Sequence, residues 1–146
     1  MTRRNVVLLA AIICAALAAS LVGADSAKRA SPPGVRKEIV AVIDAQLAAF
    51  RKGEIEKAYS FAAAELRAQK PLSAFKEIVQ KSYPEIWRNA RAEFGIVRDN
   101  GTQATVTVQV YSKEGDAAYD FTLSKESAGW RIFGVVRHEP KGSRKV

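Results

Sequence analysis

At 146 residues and 15.9 kDa, with a formal net charge of +8, the chain has the length of one ordinary domain. Its 48% hydrophobic and 26% charged content excludes a disordered or collagen-like chain. One Cys beside one His excludes a disulfide scaffold and a structural zinc site, which needs four N or S ligands, and no cofactor is called for.

The first segment is Met1-Thr2-Arg3-Arg4-Asn5, and Val6 to Ala24 then run without a charge. A basic start, an apolar run and a small-residue exit are the parts of a secretory signal peptide over residues 1–24. Cleavage is expected after Ala24, where Val22-Gly23-Ala24 supplies slim residues; Ala16-Leu17-Ala18 is the second choice. The alternative is an uncleaved anchor, because the run is long enough to cross a bilayer, although its many alanines hold lipid weakly. Either places the remainder outside the cytoplasm: periplasmic or secreted if cut, held at the inner membrane and facing outward if not. Cys14 follows Ile13 in mid-run, where a lipoprotein site needs a small residue, so it reads as one more apolar residue of the leader. Once the leader goes, no thiol nucleophile remains.

Asp25 to Gly34 is polar and holds two Pro and a Gly, which reads as a linker. Three helical patterns follow. Over Val35 to Lys52, Ile39, Ile43, Leu47 and Phe50 recur at helical spacing, and Gly53 ends the run. Over Glu54 to Gln69, Ile55, Ala58, Tyr59, Ala62 and Leu66 make a second stripe, stopped by Pro71. Ser73 caps a third helix, with Phe75, Ile78 and Val79 on one face, which ends at Pro84.

The period then changes from helical to alternating. Phe94 and Ile96 precede the turn Asp99-Asn100-Gly101. Val106, Val108 and Val110 alternate with polar residues, as do Tyr119, Phe121 and Leu123; Trp130, Ile132 and Val136 follow. Short connections imply antiparallel neighbours. The expected architecture is α+β over residues 35–139, with helices packed on a curved four-stranded sheet, and a basic tail over 140–146.

Ile43-Asp44-Ala45-Gln46-Leu47-Ala48-Ala49-Phe50, Ala58-Tyr59-Ser60-Phe61-Ala62, Tyr83-Pro84-Glu85-Ile86-Trp87 and Gly129-Trp130-Arg131-Ile132 carry a resemblance. Together they resemble the bacterial domain-of-unknown-function family numbered four-eight-six-four, over roughly Ile39 to Val136. That family is similar in pattern to the nuclear-transport-factor-two-like, or cystatin-like, cone fold, whose relatives include ketosteroid isomerase, scytalone dehydratase and many non-catalytic modules. The chain departs from the pattern at Gln69-Lys70-Pro71-Leu72, where Lys70 breaks a more apolar stretch.

Gln46 is the most informative polar residue. It falls inside the apolar stripe of the first helix, so it is either a pocket group that orients a ligand or a core amide tying that helix to a neighbour. Tyr59 and Tyr119 lie on apolar faces, as core aromatics or as hydroxyls in a cavity. Val108, Phe121 and Trp130 complete the expected lining of a hollow between helices and sheet. His138 shares strand parity with Trp130, Ile132 and Val136, which would place it on the helix-covered face as an acid–base group or leave it on a frayed end. Asp120 has the opposite parity from Tyr119, so a buried carboxyl–tyrosine pair is not expected. Phe133 and Val135 fall on the other face, where they would form a homodimer surface. The basic residues scatter without a stripe interleaved with aromatics, so nucleic acid is not an expected partner, and a membrane is met only through an uncleaved leader. The function expected is that of an exported, non-catalytic module binding a small apolar ligand or a partner protein. The alternative is an isomerase- or dehydratase-type enzyme.

Overall fold

The structure, a computed structural model, describes residues 27–139. The leader and the basic tail lie outside the described residues. Among those described, no helix is long and apolar enough to cross a membrane.

Part of the segment read as a linker is ordered into the sheet. Strand β1 (Arg29–Ala30) pairs antiparallel with β3 (Arg98–Asp99), and Ser31 N–H donates to Val97 O at 2.8 Å. Helix α1 (Pro33–Arg51) begins on a proline, whose fixed φ suits the first turn and whose missing N–H has no partner there to lose. Its apolar stripe is buried as the spacing predicts, with Ile39, Ile43, Leu47 and Phe50 all in the core. Gly53, at φ +70°, turns the chain away after the last turn.

The second helical pattern is not one helix. It forms α2 (Ile55–Ser60) and α3 (Ala64–Gln69), separated by an extended step. There Ile132 N–H donates to Phe61 O and Ala63 N–H donates to Ile132 O, both at 2.8 Å, a parallel bridge onto the last strand. Ala62 and Ala63 are buried. With only a methyl each, they let the main chain press on the sheet, and the bridge satisfies the backbone groups that the broken helix releases. Helix α4 (Leu72–Ser82) follows Pro71, which takes the N-cap position expected of Ser73. Pro84 opens a further short helix, α5 (Pro84–Trp87), after Tyr83 has closed α4.

Among the described residues the sheet has six strands, not the four expected, and is open. Strands β2 (Asn89–Phe94) and β3 both pair with β4 (Gln103–Ser112), which pairs with β5 (Gly115–Glu126), which pairs with β6 (Gly129–Arg137); all are antiparallel. Strands β2 and β3 are one predicted strand cut by a bulge. Gly95 N–H donates to Thr107 O at 2.9 Å, and a side chain there would begin 3.0 Å from that same oxygen. The extra residue inverts the alternation, so Ile96 is 65% exposed and Val97 is buried. The Asp99-Asn100-Gly101 turn forms as read, with Gly101 at φ +93° and Asn100 Oδ1 accepting from Gln103 N–H at 2.8 Å.

A second bulge lies in β6. Leu123 faces Ile132 and Thr122 faces Gly134, which leaves Phe133 without a cross-strand partner. Beyond it, Val135 pairs with Phe121, Val136 with Asp120 and Arg137 with Tyr119. Opposed residues share a face, so the end of β6 has the opposite phase from simple alternation.

Candidate functional site

A hollow of about 310 Å³ opens between α1, α3, α4, α5 and β6. Its floor is buried and formed by Gln46, Phe50, Val79, Ile86 and Ile132. Its rim is formed by Leu66, Lys70, Ile78 and Val135, which are half-buried or exposed. The walls follow from local sequence. The α1 stripe delivers Gln46 and Phe50 one turn apart, and the Ala62–Ala63 bridge draws α3 against β6. Pro71 and Pro84 bound α4, so that its Phe75–Val79 face leans over the opening. Phe75 is held between Phe50, with ring centroids 6.1 Å apart, and Tyr59 at 5.2 Å.

Gln46 is in the wall and is 4% exposed. Its Nε2 donates to Ala58 O at 3.1 Å. A main-chain carbonyl only accepts, so the amide nitrogen must face Ala58 and Oε1 must point the other way. Oε1 accepts no hydrogen bond from the described residues. Trp130 Nε1 is the one sealed side-chain N or O atom without a partner among them, so Gln46 Oε1 is not sealed, and the hollow is the space that Gln46 borders. Asn89 makes the contrast. It is equally buried, yet its Nδ2 donates to Leu47 O at 3.0 Å and to Ile86 O at 2.8 Å, while its Oδ1 accepts from Arg51. Asn89 is a completed structural tie between α1, α5 and β2.

The other expected lining residues lie elsewhere. Val108, Phe121 and Trp130 are packed in the core with Ile39, Ile43 and Leu47. Tyr59 turns its hydroxyl toward Arg67 O at 2.9 Å and Lys70 O at 2.6 Å, closing the end of α3. Tyr119 is buried, and its hydroxyl donates to Glu85 Oε2 at 2.5 Å. Arg137 completes that cluster through Glu85 Oε1 at 2.9 Å and the Tyr119 hydroxyl at 3.2 Å. Burial would raise the Glu85 carboxyl, but hydrogen bonds from Tyr119 and Arg137 outweigh it and hold the group below its ordinary value. Burial and the facing Glu85 carboxylate push the Tyr119 phenol well above its ordinary range. A carboxylate–tyrosine pair therefore exists where parity with Asp120 indicated none. Its acid comes from α5, far away in sequence, which only the fold reveals. Beside it, Tyr83 lines the hollow and donates its hydroxyl to Val135 O at 2.8 Å.

The β6 bulge corrects two assignments. His138 is not on the helix-covered face. It follows the inverted phase to the opposite face, where its Nδ1 lies 2.8 Å from Asp120 Oδ2 and Thr107 donates to Asp120 Oδ1 at 2.6 Å. Burial would raise Asp120, but the hydrogen bonds from Thr107 and His138 prevail and hold it low. Val135 is not on the face that carries Phe133; it faces inward beside Phe121 and lines the hollow. Phe133, 44% exposed, and Val136, 67% exposed, are the apolar residues that β6 turns to solvent. Among the described residues, no cluster of three or more His, Cys, Asp or Glu side chains has the geometry to hold a metal ion.

The family described as "Domain of unknown function (DUF4864)" matches residues 34–144, most of the chain. The chain belongs to that family. The match begins at the first turn of α1 and spans every wall of the hollow, so the cavity is built from the family's own segment. A search of curated proteins finds no match to this chain.

Proposed function

We propose that the protein is an exported, non-catalytic binding module that takes a small apolar molecule into the hollow between α1, α3, α4, α5 and β6. The observation that carries this reading is the hollow itself: about 310 Å³, with a buried apolar floor and an open rim. That volume stands at the lower end of the ~300–1,000 Å³ usual for small-molecule sites. A space of this kind, walled by Phe50, Val79, Ile86 and Ile132, favours apolar surface because burial there removes it from water. The cystatin-like cone implied by the resemblance belongs to this reading, with the sheet curving around the helices. So does export, on the strength of Arg3-Arg4 and the uncharged run after them.

Among the described residues, the lining holds no carboxylate or imidazole. Lys70 stands at the solvent-exposed rim, and the Tyr83 hydroxyl is engaged with Val135 O. With His138 on the opposite face, the isomerase- or dehydratase-type alternative lacks an acid–base group in the hollow, so these placements favour binding over catalysis.

The test is thermal unfolding with small apolar probes such as 2-methylnaphthalene, for the wild type and for Val135→Phe. A ligand that favours the folded state raises Tm by mass action. The wild type is expected to gain stability with probe concentration. The substitution fills the hollow from its half-buried rim, so the variant is expected to fold normally and to lose that gain. Equal shifts in both proteins would place the probe elsewhere, and no shift in either would refute the reading.

A further inference from the structure

The ligand's chemistry can be taken one step further, on the assumption that the hollow binds a small molecule as proposed above. We infer that the ligand carries a hydroxyl group that donates to Gln46 Oε1, so that the hollow selects apolar alcohols or phenols over hydrocarbons of the same shape.

The inference starts from an imbalance. Gln46 has a donor and an acceptor end, and it is as buried as the side chains around it. One amide hydrogen is used on Ala58 O. The acceptor is not used, and it borders an otherwise apolar wall. A core amide that served only to tie α1 to α2 would be closed on both ends, as Asn89 is. An apolar residue in the Gln46 position would continue the stripe of Ile39, Ile43, Leu47 and Phe50 without leaving a polar atom to satisfy. An acceptor presented to an apolar space is met by a donor on whatever enters it, because a buried acceptor left unpaired costs about as much as the hydrogen bond returns. The same logic makes such a site discriminate. A ligand with the donor completes Gln46, whereas an isostere with a methyl group in that place strands it.

The depth of the residue sets the ligand's orientation. Gln46 is on the floor beside Phe50 and Ile132, while Leu66, Lys70 and Ile78 are at the mouth. The hydroxyl therefore enters first and the apolar body fills the space behind it. Lys70 remains in water, with its methylene stem along the rim.

The experiment compares two probes of equal shape, 2-naphthol and 2-methylnaphthalene, by equilibrium dialysis against the full chain and Gln46→Met. Wild type is expected to shift the ratio of the two dissociation constants toward 2-naphthol by roughly tenfold relative to Gln46→Met, the size of one buried hydrogen bond lost or made. Equal ratios in the two proteins, with both probes bound, would overturn the hydroxyl assignment and leave an apolar site standing. Binding of neither probe by the wild type would overturn both this inference and the reading beneath it. Should Gln46→Met not fold, the wild type alone decides by NMR of its side-chain amides. The Gln46 amide resonance is expected to move with 2-naphthol well beyond its shift with 2-methylnaphthalene, and equal shifts would refute the hydrogen bond.

Discussion

Replacing Tyr119 by Phe isolates the contact that fastens α5, and with it one wall of the hollow, to the sheet. The ring is fully buried and packs on Tyr83, with centroids 5.8 Å apart, and under the Arg137 guanidinium at 5.2 Å; Phe preserves both contacts. What is lost is one hydroxyl, which donates to Glu85 Oε2 at 2.5 Å and accepts from Arg137 at 3.2 Å. A hydrogen bond to a charged partner is worth about 1.5–3 kcal/mol. Glu85 keeps its two contacts with Arg137, so the lower part of that range, about 2 kcal/mol, is expected at neutral pH. For a domain of this size, with an unfolding entropy near 2.1 cal/mol/K per residue, that loss lowers Tm by about 8 °C.

The contribution also has a pH signature. Glu85 is held below its ordinary value in the folded state, so its stabilisation is complete above the unfolded carboxyl pKa of about 4.3. It is lost as pH falls through the depressed folded value. The difference between wild type and Tyr119→Phe should therefore be constant from neutral pH to about pH 5 and shrink on further acidification. Urea unfolding across that range measures it. A difference below about 0.5 kcal/mol at neutral pH, within the scatter of an ordinary substitution, would refute the reasoning. So would one that does not change with acid.

Two further predictions follow from the core and the sheet. Asn89→Ala should cost about 1–3 kcal/mol by denaturant unfolding, since it removes the buried donors to Leu47 O and Ile86 O and the acceptor of the exposed Arg51; a neutral effect would mean that water replaces the amide. Gly95→Ala should lower stability by about 1–3 kcal/mol, because the new methyl would meet Thr107 O at 3.0 Å, and hydrogen exchange at the β2–β4 pairing should rise with it. An unchanged exchange pattern would show that the bulge tolerates a side chain.

Local chemistry made much of this protein legible before any coordinates. The α1 stripe, the turns at Gly53 and Gly101, and the inward residues of β4 and β5 each depend on neighbours a few positions away, and a run of side chains at the right period carries that information. The burial of Gln46 within the apolar stripe of α1 came from the same arithmetic. Alternation, however, holds its phase only while each strand residue has one partner. The bulges at Gly95 and Phe133 each insert one residue, and each inverts everything beyond it. Ile96, Val135 and His138 consequently came out on faces opposite to those that simple counting predicts.

Tertiary structure alone decided the rest. The break between α2 and α3 arises because Ile132, distant in sequence, offers hydrogen bonds to the main chain at Phe61 and Ala63, and nothing within the helical stripe signals it. Glu85 meets Tyr119 and Arg137 only after α5 has docked on the sheet. The hollow is of the same kind. It is the space left where α1, α3, α4, α5 and β6 do not close on one another, and its volume depends on the angles between elements that no single segment encodes.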